Sequence, residues 1–285
     1  MNTDDDNPYD WLADVHSDDH RWAYGTGFTD PLAGVDTSVP EGMDADALAA
    51  FCLALGDDAL IYSHRLQQWI TRLPELEEET AVANIALDLL GQARMLLARA
   101  GAIVGRSEDE LAFFRDEPQF RNVRLVEPSD ADFAELVGRL LVFTTWRLAL
   151  FERLADTADP VLAAIGGKGI NELTYHRDYA AQWVVRLGDG TPVSKQRMQA
   201  ALDTVWPYVD ELFRPHALDQ VTIQRGEVDV VLDTVFATAG IERPDAAPLA
   251  SVGGRAGRDG VHTEALGYVL AELQSVARAH PDATW

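Results

Sequence analysis

The sequence predicts an all-α fold: a four-helix bundle with additional helices at its C-terminal end. Three observations carry this expectation. From Asp44 to residue 214 the apolar residues recur with a period of 3.6 rather than 2. Four of the periodic segments exceed twenty residues, longer than the usual globular helix. One long connection, residues 101–129, separates the second segment from the third, as in bundles with a crossover.

Taken in order, residues 1–43 show no helical period and read as an acidic, extended or disordered arm. Residues 1–46 hold twelve acids against the single Arg21, and scattered aromatics (Tyr9, Trp11, Trp22, Tyr24, Phe28) would let the arm drape over a partner. The helical domain is placed at 44–285. Its first helix, 45–72, puts Leu48, Phe51, Leu55, Ala59, Tyr62, Leu66 and Trp69 on one face, with Pro74 marking the end. The second, 76–100, stops at Gly101, and the acids Glu77 to Glu79 complement its N-terminal dipole. A third spans 130–157, and a fourth, 161–187, begins just after Pro160 and ends at Gly188. A fifth, 192–213, has Thr191 as N-cap and Pro192 at its first position. Helices at 227–239 and 261–279 close the chain.

Composition narrows the function. A net charge of -24 opposes nucleic acid and anionic lipid surfaces, which are bound through Lys and Arg. No apolar run is expected to reach the ~20 residues that span a bilayer, and the N-terminus lacks signal-peptide features, so a cytoplasmic location is expected. Cys52 is the only cysteine, which excludes intrachain disulfides and cysteine-based metal clusters.

The polar residues that project into the bundle are Asp58 on the first helix, Asp88 on the second, Arg147 on the third, and Glu172 and His176 on the fourth, whereas Asp57 and His64 project outward. A di-iron bundle uses about four carboxylates and two histidines, with Glu-x-x-His on two helices. This set is short by one acid and one histidine. Gly91 stands where the second helix would carry its histidine, and the third helix offers no inward acid. Arg147 would repel a metal and pair with the nearby acids, so the expectation is an internal salt bridge. The alternative is a single metal on Asp58, Asp88, Glu172 and His176, suited to iron or manganese. Trp146, read as lying on the outer side of its helix, is a candidate interface anchor. Arg255 and Arg258, in the loop GGRAGRDG, read as solvated, with phosphate contact as the alternative.

Five motifs in order, LGDDALIYSHRLQQW, LEEETAVANIALDLLGQARMLL, ELTYHRDYAAQWVVRLGDGT, WPYVDELF and GRDGVHTEALGYVLAELQSVARAHPDATW, ending at Trp285, resemble the PaaC family, the C component of bacterial phenylacetyl-CoA 1,2-epoxidases. The resemblance covers about residues 45–285. It implies a ferritin-like fold in a multicomponent monooxygenase of aerobic phenylacetate breakdown. In such an enzyme the A component holds the di-iron centre that epoxidises phenylacetyl-CoA. A reductase with FAD and an iron-sulfur centre draws electrons from NADPH. The C component is implied to be a non-catalytic partner of A, without catalytic, cofactor-binding or metal-binding residues of its own. The rival expectation is a stand-alone ferritin-like oxidase or oxygenase.

Overall fold

The computed structural model describes residue 32, residues 34–73 and residues 75–283. The arm aromatics, Pro74 and Trp285 lie outside the described residues. Among the described residues the chain is all-α: α1 (Ala45–Gln67), α2 (Leu76–Val104), α3 (Glu108–Phe113), α4 (Phe133–Leu154), α5 (Pro160–Gly188), α6 (Pro192–Val205), α7 (Arg225–Ala239) and α8 (Glu264–Ala279).

The long helices start where capping chemistry allows. The Asp44 carboxylate accepts from the amides of Asp46 and Ala47 to open α1, and Asp132 and Asp159 cap α4 and α5 the same way. Pro160 is the first residue of α5 rather than the residue before it, the position where a missing N–H costs nothing. Helix α2 runs past Gly101 to Val104 and ends at Gly105, whose φ of 70° is left-handed. Gly101 serves packing instead: a Cβ there would sit 2.2 Å from the carbonyl oxygen of Arg106. The expected fifth helix is two pieces, α6 and the 3-10 turn Trp206–Phe213, because Pro207 removes an N–H from the α-helical ladder.

Helices α1 and α2 pack on each other, as do α4 and α5, and the two pairs form the bundle. The seam between α2 and α5 is thinner. Leu55, Ile61, Tyr62, Ile85, Leu89, Phe143 and Phe151 fill the interior, with the Tyr62 and Phe143 rings edge to face at 4.7 Å. Truncating a buried ring such as Phe151 to Ala would cost about 3–5 kcal/mol. Helices α6 and α7 cover the outer side of α4 and α5, while α8 lies against α1 and α3.

Two sequence expectations change here. Helix α2 contains an 18-residue window of mean hydropathy 1.3, so one helix does reach spanning length and apolarity, though 44% of that window is buried. Trp146 is 3% exposed, not an outward anchor. It stands beside Phe143 and, with Phe51 and Phe213, lines a cleft of about 200 Å³ under the segment that follows Trp206–Phe213.

Candidate metal position inside the bundle

On α1, Asp57 and Asp58 are both fully buried, so Asp57 does not point outward as its place off the bundle stripe implied. The connection between α2 and α4 covers that side of α1. Arg115 grips both Asp57 oxygens, and the amide of Arg121 donates to the same carboxylate at 2.8 Å. Asp58 accepts from Arg258 through both oxygens, at 2.9 and 2.7 Å, and from the amide of Val123 at 2.8 Å. Arg258 also donates to the carbonyls of Ala54 and Arg121. The loop GGRAGRDG is therefore not simply a solvated arginine loop: Arg258 turns inward to Asp58 with its side chain 11% exposed, whereas Arg255 stays exposed.

Arg147 is fully buried within the bundle, as expected, but it forms no ion pair with a carboxylate among the described residues. Its Nε donates to Gln92 Oε1 at 3.0 Å and its Nη2 to the carbonyl of Leu55 at 3.3 Å. The Phe151 ring lies 4.6 Å away. The internal salt bridge thus exists with a different cation: Arg258 binds Asp58, and Arg147 acts on it through space. Gln92 passes the contact on, its Nε2 donating to Glu172 Oε2 at 3.0 Å, and Lys168 approaches the other oxygen of Glu172 at 3.6 Å. His176 Nε2 lies 2.9 Å from Asp88 Oδ2.

Electrostatics follow from this burial. Desolvation pushes the Asp58 carboxyl above its ordinary value, opposed by Arg258 and then Arg147. It lowers the Arg147 guanidinium to about 10, against the pull of Asp58, so the side chain remains a cation near neutrality. Glu172 is raised, by burial first, with the Gln92 hydrogen bond and Lys168 opposing. Burial also pushes the Cys52 thiol up to about 12, which leaves it unreactive.

These residues do not fit a di-iron centre. Asp58, Asp88 and Glu172 each turn to a separate partner, and no group of three or more His, Cys, Asp or Glu among the described residues is placed to hold a metal ion. His176 Nδ1 is buried without a protein partner and is the atom of this set poised to ligate. Arg147 Nη1, equally buried and unpartnered, brings positive charge into the same interior.

Sequence reasoning missed Gln92, Arg115 and the pairing of Arg258. Gln92 had a signal, because it falls on the apolar spacing of Ile85, Leu89 and Leu96. Arg115 and Arg258 lie outside any periodic segment and had none. His64 is half-buried and meets Glu272 at 3.3 Å, away from this interior.

A four-helix bundle with buried or half-buried acids on α1, α2 and α5, a histidine beside the acid of α5 and a buried arginine on α4 is consistent with the ferritin-like fold. The chain belongs to the phenylacetic acid catabolic protein family, whose model matches residues 35–285. It is similar to the C component of the 1,2-phenylacetyl-CoA epoxidase of Escherichia coli (strain K12), with 42% identity over 248 residues, covering 84% of this chain and 99% of the relative. The family match begins at residue 35, nine residues before α1's cap. Within that stretch the carbonyls of Thr37 and Ser38 accept from Arg99 of α2, which also pairs with Asp159.

Proposed function

We propose that this chain is a non-catalytic, structural subunit of a cytoplasmic phenylacetyl-CoA epoxidase, pairing with the di-iron A subunit. The observation that carries the reading is the consumption of the interior acids by the chain's own donors: Asp58 by Arg258 and Val123, Glu172 by Gln92, Asp88 by His176. A metal would have to break those contacts and sit beside the Arg147 guanidinium. Membership of the family and similarity to a protein named as an epoxidase subunit support the same reading. In it, iron belongs to the A subunit, and the NADPH-dependent flavin and iron-sulfur reductase serves that centre, not this one. The chain's role is to hold the catalytic subunit in a folded, assembled state.

The test is co-purification with the catalytic subunit followed by iron counting on each chain. Iron is expected on the catalytic subunit, and epoxidation by the assembled complex is expected to survive Asp88→Ala and Glu172→Ala in this chain. Near-stoichiometric iron on this chain alone, or loss of epoxidation in a variant complex of normal composition, would favour the oxidase reading instead.

A further inference from the structure

His262 differs from the other histidines of the described residues in what its ring faces. His64 and His176 each meet an acid through Nε2. At His216, Nε2 meets Asp259 while Nδ1 accepts from the amide of Leu218 at 3.1 Å, so one ring proton serves both contacts. The His262 ring instead lies between two acceptors: Nδ1 is 2.7 Å from Glu127 Oε1, and Nε2 is 3.1 Å from the carbonyl oxygen of Phe120. A carbonyl cannot donate, and a neutral imidazole has one N–H to offer. Both contacts are hydrogen bonds only if one proton sits on Nε2 and another lies between Nδ1 and Glu127.

Glu127 decides where that second proton sits. Its carboxylate also accepts from Asn122 Nδ2 at 2.9 Å and, on the other oxygen, from the Thr263 amide at 2.7 Å and hydroxyl at 2.6 Å. Asn122 turns the same Nδ2 to the carbonyl of Val123, which fixes that atom as the donor. The neighbours thus surround a group whose ionised form accepts at about four sites and donates at none. The arrangement is a carboxylate facing an imidazolium, with side chains 0% and 1% exposed. Thr263 is the N-cap residue of α8, so the negative charge stands at that helix's positive end.

The other charged groups near the pair are engaged elsewhere. From α1, Arg65 donates to the backbone carbonyls of Glu127 and Ala265, not to the carboxylate. Within the connection, Arg115 lies over the Phe120 ring while holding Asp57, and Asp130 pairs with Arg139 of α4. On the loop before α8, Arg258 binds Asp58 and Asp259 meets His216. On α8 itself, Glu264 meets Tyr268, and Glu272 meets Gln68 and His64.

We infer that His262 is a proton-operated clasp, which holds the loop before α8, and with it Arg258, against the connection and α1. With both protons the ring bridges Glu127 and Phe120. When one proton leaves to solvent, a bare ring nitrogen faces an oxygen at one of the two contacts. The loop then loses a tie four residues from Arg258, and the guanidinium is freed to leave Asp58. This device is independent of the structural-subunit reading.

The test uses full-length chain with isotope-labelled histidine nitrogens, read by proton–nitrogen correlation NMR near neutral pH. Both nitrogens of His262, identified by their absence in His262→Gln, are expected to be protonated; a bare Nδ1 or Nε2 overturns the clasp. Hydrogen exchange of residues 257–266, corrected for the intrinsic effect of pH, follows the release. Protection there is expected to fall at least about tenfold between about pH 6 and pH 9, while that of α4 holds. His262→Gln keeps one donor and has no proton to lose, so it should show the loosened level at both ends. His216→Gln should keep the parent's fall. Unchanged protection in the parent, a fall that persists in His262→Gln, or a fall abolished by His216→Gln overturns the inference. The parent and His216→Gln decide it even where His262→Gln does not fold.

Discussion

Asp58 and Asp88 face the same bundle interior from adjacent helices, and their surroundings differ in kind. The Asp58 side chain is 0% exposed, and its guanidinium partner Arg258 lies 200 residues away in sequence. The Asp88 side chain is 41% exposed, and its partner His176 belongs to the neighbouring bundle helix. Around Asp58 the chain between α2 and α4 and the loop before α8 close over α1, adding Arg115 on Asp57 and His262 and Thr263 on Glu127. Around Asp88, on α2, the hydrogen-bond partner comes from α5. The interior acids are thus held in two ways: one side is locked by distant chain segments, the other is filled by local pairing and remains open to solvent at its edge.

The locked half should carry the larger energetic consequence. Arg258→Ala leaves Asp58 buried without its cation, a change expected to cost about 3–5 kcal/mol of unfolding free energy in urea titration. Replacing both partners by apolar residues, Asp58→Leu with Arg258→Met, should recover most of that loss, because the charge and its desolvation leave together. A single substitution costing under about 1 kcal/mol would break the comparison by making the two halves equivalent.

The two halves also differ in what the sequence disclosed. The long helices and their inward faces were legible because the period of 3.6 runs unbroken through each, and so Asp58, Asp88, Arg147, Glu172 and His176 were placed within or beside the inward stripes from spacing alone. Asp57 was misjudged because the stripe records burial against other bundle helices, whereas Phe120, Val123 and Leu125 of the aperiodic connection bury the opposite side of α1. Arg258 sits in a glycine-rich loop whose local composition is that of a solvated turn. Its ion pair is a tertiary event with no local trace. The open half was legible because it is made by two helices alone.

On that open half, Asp88→Asn is expected to change stability by at most about 1 kcal/mol, since a half-exposed carboxylate gains little from its partner. Urea titration of this variant beside Arg258→Ala measures the difference between the halves directly. A loss matching that of Arg258→Ala would show that the α2 and α5 seam is as tightly locked as the loop-covered side.

The smallest effect concerns Glu172, at the junction of the two halves, where Gln92 links it to Arg147. Burial raises this carboxyl above its ordinary value of 4.5, with Gln92 and Lys168 opposing. The folded chain therefore holds the proton more tightly than the unfolded chain. That stabilisation is complete below the unfolded value and declines as pH rises through the folded value. Glu172→Gln has no proton to lose, and its amide still accepts from Gln92. Its melting temperature relative to the parent should therefore rise modestly between about pH 4 and pH 8. A relative fall across the same interval would mean that the ionised carboxylate is stabilised in the fold, with Arg147 and Lys168 outweighing burial, and the seam would then be a charged site rather than a filled one.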